Sequence, residues 1–165
     1  MSMLLSRASE YGVQTMVELC QSANGEFVSV NELAHRRGLS PSFLSKVAKQ
    51  LVEHGLVASQ RGPGGGVRLA RPASRIRVIE VVEAIEGPEF LTGCVMGLPE
   101  CSEHAPCPLH AQWKPVRESI LQMLAGRTLS AMAVELNATL AARRRLATRG
   151  PRRRTRKGGK QGSGR

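Results

Sequence analysis

The sequence lacks any apolar run approaching the roughly 18 residues that a membrane-spanning helix needs. Its first stretch, "MSMLLSRASEYG", lacks the long apolar core of a secretion signal. Together these absences lead to the expectation of a cytoplasmic protein with no membrane partner. In that compartment four cysteines suit metal ligation, redox chemistry or core filling better than structural disulfides. No nucleotide-binding fingerprint and no convincing acid–base or nucleophile constellation is present, which argues against an enzyme. Aspartate is absent altogether, and all thirteen acids are Glu.

What is present is positive charge, unevenly placed. The 165 residues carry a net charge of +11, and the length suits one domain with a real core plus a tail. From Arg143 to the end there are eleven Lys/Arg and no acid, whereas residues 1–142 balance thirteen Lys/Arg against thirteen Glu. Within that neutral part, residues 36–77 hold nine Lys/Arg against Glu53 alone. Such segregation points to a surface facing a polyanion. The plainer reading is a solvated basic face.

Apolar spacing predicts a helix over 6–22, with Val13, Met16, Val17 and Cys20 on one stripe. Cys20 is therefore read as core filler. "SVNEL" offers a capping box of Ser29 and Glu32, opening a short helix that ends at Arg37 before Gly38. "LSPSFLSKVAKQLVEHG" then gives Ser40 as a cap, Pro41 at the first helical position and Gly55 as a stop. Its stripe is Leu44, Val47 and Leu51, leaving Ser42, Ser45, Lys46 and Lys49 largely on other faces. Two short helices joined by a tight turn form a helix-turn-helix, whose second helix exposes small polar and cationic side chains suited to a DNA groove.

Directly after it comes "RGPGGGVRL", residues 61–69. A phosphate-binding loop would be followed by Lys-Ser/Thr and a helix. Here β-capable segments, "LVASQ" and "VRLAR", flank the glycines, so the stretch reads as a hairpin tip, and the whole as a winged helix. Glycines allow a narrow tip to approach a DNA backbone or minor groove, with Arg61 and Arg68 meeting phosphates. A tight turn with no role on DNA is the alternative. The DNA-facing set is thus expected to be Ser40, Ser42, Phe43, Ser45, Lys46 and Lys49 on the helix, and Arg61, Gly62, Gly64, Gly65, Gly66 and Arg68 on the wing.

A further helix is expected at 76–87, an irregular segment at 87–110, and a long helix from about Ala111 with Trp113, Val116, Ile120 and Leu124 on one stripe. Thr128 is placed to cap a last helix. Helices this long suit packing against a second subunit. In the irregular segment Cys94, Cys101 and Cys107 are spaced C-x6-C-x5-C, and His110 follows three residues later. Three thiolates with one nitrogen or oxygen ligand suit an iron–sulfur cluster or zinc, and the absence of close C-x2-C pairing favours the former. His104 is read as exposed.

The ordered set "SEYGVQTM", "RRGLSPSFLSKV", "LVEHGLV", "RGPGGGVRLARPAS" and "IEVVEAIEG", followed by three loop cysteines, resembles the IscR/NsrR-type winged-helix regulators of the Rrf2 superfamily over about residues 3–140. The resemblance implies a homodimer on palindromic double-stranded operator DNA, with binding controlled by a cluster on the three cysteines. It implies a fourth ligand that varies among members. His110 matches one choice, and Glu10, delivered from the partner subunit, matches the other. Proximity to Cys107 favours His110. Cluster nuclearity, 2Fe–2S or 4Fe–4S, stays open. Six residues separate the first two cysteines here, where many members have about five.

The expected fold is therefore mainly α, a winged helix-turn-helix with a β-hairpin wing and a long C-terminal dimerisation helix. The expected divisions are 1–86 for DNA binding, 87–110 for the cluster, 111–147 for dimerisation and 148–165 as a disordered basic tail. The competing reading is a nucleic-acid-binding protein stabilised by zinc or a cluster, without a sensing role.

Overall fold

A computed structural model of the chain describes residues 4–22 and 25–148. The expected basic tail therefore lies outside the described residues, apart from Thr148, which closes the last helix. Among the described residues six α-helices and a two-stranded antiparallel sheet follow in order, with one 3-10 turn (Ala73–Arg75) before α4: α1 (Arg7–Leu19), α2 (Val30–Arg37), α3 (Pro41–Glu53), β1 (Val57–Gln60), β2 (Gly66–Leu69), α4 (Val78–Glu86), α5 (His110–Ala125) and α6 (Leu129–Thr148). The chain divides into two compact units, one ending at Val134 and one beginning at Glu135. In the second, the helix continues and the Thr139 hydroxyl donates to the Glu135 carbonyl at 2.9 Å.

Local signals act largely where the sequence puts them. Ser6 caps α1, accepting from the Ser9 amide at 3.2 Å. Ser40 caps α3, accepting from the Phe43 amide at 3.3 Å, with Pro41 in the first turn. Gly38 ends α2 in the left-handed region, at φ 65°. The expected capping box of α2 is not made. Ser29 stands at the N-cap with no side-chain cap bond, and Glu32 is drawn one turn along the helix to Arg36.

The core joins α1, α2, α3 and α4 through Met16, Leu33, Leu44, Leu51, Val81 and Val82, all essentially inaccessible. Burying each such side chain stabilises the fold by about 1.5–3 kcal/mol. Two junctions then fix the periphery. At one end of the fold, Glu86 of α4 accepts from the Ser9 hydroxyl at 2.6 Å and the Ser6 amide at 2.9 Å, tying α4 to the start of α1. At the other, the Val78 amide donates to the Arg127 carbonyl and the Leu129 amide to the Ile76 carbonyl, each at 2.9 Å, so the α5–α6 junction is pinned beside the start of α4. Leu124, Leu129 and Ala133 are buried there, but Val116, expected on the inner stripe of α5, is 50% exposed.

The hairpin pairs Val57 with Leu69 and Gln60 with Gly66. It also gains a neighbour that short-range patterning does not reveal. Val28, just before α2, bridges Val67 through two backbone hydrogen bonds of 2.9 and 2.8 Å. This anchors the wing to the helix-turn-helix.

Candidate functional site

Two sets of candidate functional residues stand out, one on α3 and the wing and one between α4 and α5. On α3, Ser40, Ser42, Ser45, Lys46 and Lys49 are all exposed. Their neighbours at helical spacing, Leu44, Val47, Ala48 and Leu51, are buried in the core. The helix thus presents one polar face and buries the other. Lys49 reaches Glu53 at 3.7 Å, a surface pair worth at most about 1 kcal/mol. Phe43 is half-buried. Its ring stands edge-on to Tyr11, with centroids 5.9 Å apart, and braces α3 against α1.

The four wing glycines separate by role. Gly62 (φ 93°) and Gly64 (φ 73°) face open space and form the exposed tip. Gly65 and Gly66 are demanded by packing. A Cβ on Gly65 would stand 2.4 Å from the Gln60 carbonyl oxygen, and one on Gly66 only 2.1 Å from that of Val28. Close approach at these two positions is to the protein's own backbone. Arg61 is exposed and has no ion-pair partner among the described residues. Arg68 is held in place: its guanidinium lies over the Phe27 ring at 4.7 Å and donates to the Gly25 carbonyl at 3.4 Å.

The basic segment is thereby divided. Arg37 donates to Glu18 (2.9 Å), to the Gln14 side chain (2.8 Å) and to the Gln14 carbonyl (2.7 Å), and Arg36 also pairs with Glu18. Arg71 pairs with Glu80 at 2.6 Å, and Arg77 donates to the Ala125 carbonyl at 2.9 Å. These four serve the fold. Arg75 is exposed beyond the hairpin, and Lys46, Lys49, Arg61 and Arg68 remain on α3 and the wing.

Residues 87–109 contain no helix or strand. All four cysteines are free thiols. Cys20 donates to the Met16 carbonyl at 3.2 Å, and burial raises its pKa above the ordinary thiol value. Both features suit a structural role. Cys94 differs: the backbone amides of Met96 and Leu98 outweigh desolvation and, with lesser help from the Cys107 side chain and the Gly97 amide, lower its pKa below the ordinary thiol value. Cys101 Sγ lies 3.4 Å from His110 Nδ1. His110 opens α5 and is 7% exposed. Its Nε2 is buried without an aligned hydrogen bond, with Glu103 Oε2 at 3.4 Å. Glu103 is in turn held by Lys114 at 2.5 Å, which lowers the Glu103 pKa and raises that of Lys114. His104 is exposed, and no hydrogen bond or ion pair among the described residues joins the half-buried Glu10 to this segment.

Of the expected donors, Cys101 and His110 are brought within 3.4 Å of each other, and Cys107 contributes to the lowered pKa of Cys94. Among the described residues no three donors converge closely enough to hold a metal ion as they stand. The donor chemistry nevertheless fits a thiolate-rich centre: one thiol is biased toward thiolate, and one buried imidazole faces a second thiol. Sequence reasoning missed Glu103 and Lys114. The available signals were a carboxylate two residues after Cys101 and a lysine four residues after His110.

Residues 5–135 match the Rrf2 family model, described as an iron-dependent transcriptional regulator. The HTH-type transcriptional regulator IscR of Xenorhabdus nematophila is 34% identical over 127 residues, spanning 77% of each chain. Among solved structures, IscR of T. potens has a TM-score of 0.66 at 30% identity, covering 82% of this chain and 89% of its own. CymR, described as the global cysteine regulator of B. subtilis, has a TM-score of 0.68 at 25% identity, covering 81% and 98%.

Proposed function

The chain belongs to the Rrf2 family of transcriptional regulators, and on that premise we propose that it binds operator DNA as a homodimer under the control of an iron–sulfur cluster. In this reading α3 enters the major groove, with Ser42 and Ser45 toward base edges and Ser40, Lys46 and Lys49 toward bases or phosphates, while Phe43 sets the helix's angle on α1. The wing tip, Arg61 to Gly64, meets backbone or minor groove. Arg68 presents a pre-ordered charge beside it, and Gly65 and Gly66 shape the turn. The exposed apolar side chains Val116 and Met123 on α5 support pairing of two copies through this helix.

Cys94, Cys101 and Cys107 would hold the cluster, with His110 as fourth ligand and Glu10, from the partner subunit, as the alternative. The carrying observation is the Cys101–His110 pair, a thiol and a buried imidazole 3.4 Å apart in a family-matched chain. When bound, a cluster supplies a centre whose loss or modification changes the order of the segment that holds it. That segment joins α4, which packs on α1 and α3, to α5. Its ordering therefore biases how the recognition helices meet the half-site spacing.

The test is anaerobic purification with iron and sulfide analysis. The protein is expected to be brown, and Cys94→Ala, Cys101→Ala or Cys107→Ala to abolish or severely weaken the cluster. A colourless protein with stoichiometric zinc would overturn the reading in favour of a metal-stabilised DNA-binding protein without a sensing role.

A further inference from the structure

We infer that Glu103 is the positioning residue for His110, anchored by Lys114, and that it orients the imidazole so that Nδ1 faces the cysteine side. The inference rests on the cluster reading above and deepens it. The His110 ring has two nitrogens with two different surroundings. Nδ1 lies 3.4 Å from Cys101 Sγ, and Nε2 lies 3.4 Å from the Glu103 carboxylate.

Nε2 is buried with no aligned partner. A buried donor left in that state costs about 1–3 kcal/mol. A small rotation of Glu103 satisfies it, because the carboxylate is already within reach. An N–H on Nε2 leaves Nδ1 with its lone pair, the form that can donate to a metal. A ligating histidine typically gives its second ring nitrogen to a carboxylate in this way, which fixes both tautomer and ring orientation. Glu103 is itself tethered across the segment: Lys114, one turn beyond His110 on α5, holds its other oxygen at 2.5 Å. The arrangement therefore ties residues 101–103 to the first turn of α5 at two points, Cys101 on His110 and Glu103 on Lys114. Glu103 is exposed, so its ion pairs add little to stability, and its replacement is expected to leave the chain folded even with the His110 Nε2 donor unsatisfied.

The test uses the full chain, reconstituted anaerobically with ferrous iron and sulfide. The visible spectrum and the rate of iron loss to a chelator are compared for wild type, Glu103→Ala, Glu103→Gln, His110→Ala and the double variant Glu103→Ala/His110→Ala. Glu103→Ala is expected to alter the spectrum and to weaken iron retention about 10- to 100-fold. Glu103→Gln keeps an acceptor and is expected to lose less than tenfold. In the His110→Ala background Glu103→Ala should change nothing further, because its effect passes through the imidazole. Retention and spectrum unchanged in Glu103→Ala, with His110→Ala strongly impaired, would overturn this inference alone. So would an equal Glu103→Ala effect with and without His110. A His110→Ala protein identical to wild type would remove the fourth-ligand reading and this inference with it.

Discussion

Gly66 lies against Val28 so closely that a Cβ on Gly66 would stand 2.1 Å from the Val28 carbonyl oxygen. The two backbones meet because Val28 and Val67 exchange hydrogen bonds, which docks the wing on the chain leading into α2. Gly66 also has φ 153°, a conformation L side chains rarely adopt. Gly66→Ala is therefore expected to destabilise the protein by more than about 1 kcal/mol, visible as a lower Tm. Gly64→Ala at the open tip carries only the left-handed backbone penalty, roughly 1 kcal/mol. Equal melting of the Gly66→Ala variant and wild type would contradict the docking.

The Val28 contact marks where sequence reading stops. The helices, their caps at Ser40 and Pro41, the stops at Gly38 and Gly55 and the hairpin itself are local or periodic features, and each was legible. A single-residue bridge from Val28 to Val67 has no period, so nothing along the chain announces it. Charge counting failed for a related reason. Arg36 and Arg37 look like part of a DNA-facing run, but they pair with Glu18 on α1, a contact set by packing. Glu32 looks like a capping partner, but Arg36 one turn away competes for it. In the cysteine segment, spacing marked the candidate donors but not that Cys101 lies beside His110.

Glu86 links pH to stability. Burial raises its pKa, but hydrogen bonds from the Ser9 side chain and from Ser6 outweigh burial and hold the net value below the ordinary carboxylate range. A carboxylate with a depressed folded pKa contributes stability above its unfolded pKa, about 4.3 for Glu. That contribution is lost as pH falls through the lower folded value. Glu86→Gln is therefore expected to lower Tm at pH 7, with the gap to wild type shrinking as pH drops below about 4. A gap that stayed constant from pH 7 to pH 3 would show that the charge on Glu86 contributes nothing.

On DNA, Arg61 and the α3 serines should fail differently. If Arg61 meets phosphate as proposed, Arg61→Ala should weaken binding to every duplex to a similar degree, because phosphate carries no sequence information. Substitution of Ser42 or Ser45 should change which operator is preferred, with about 1–3 kcal/mol per lost base contact. Competition binding against a panel of duplexes at fixed salt separates the two. Full affinity of Arg61→Ala for all of them would remove the wing from the interface.

Residues 149–165 carry eight Lys/Arg and no acid, and they lie beyond the family match, which ends at 135. Such a polycation should add affinity without sequence preference. If it neutralises about four phosphates, truncation after Thr148 should flatten the log–log dependence of affinity on salt by roughly 3.6, at about 0.9 per phosphate. The preferred operator should stay the same. An unchanged slope would mean that these charges do not meet DNA.

In the proposed mechanism the state of the cysteine segment controls the grip of α3 and the wing on DNA. Its most direct test is operator affinity, measured under anaerobic conditions at one salt concentration, for a single preparation before and after the cluster is removed with a chelator. Operator affinity is expected to change by at least about tenfold, on the order of 1.4 kcal/mol, with affinity for unrelated duplex little altered. Identical operator affinity in the two states, with only the melting temperature changed, would contradict it.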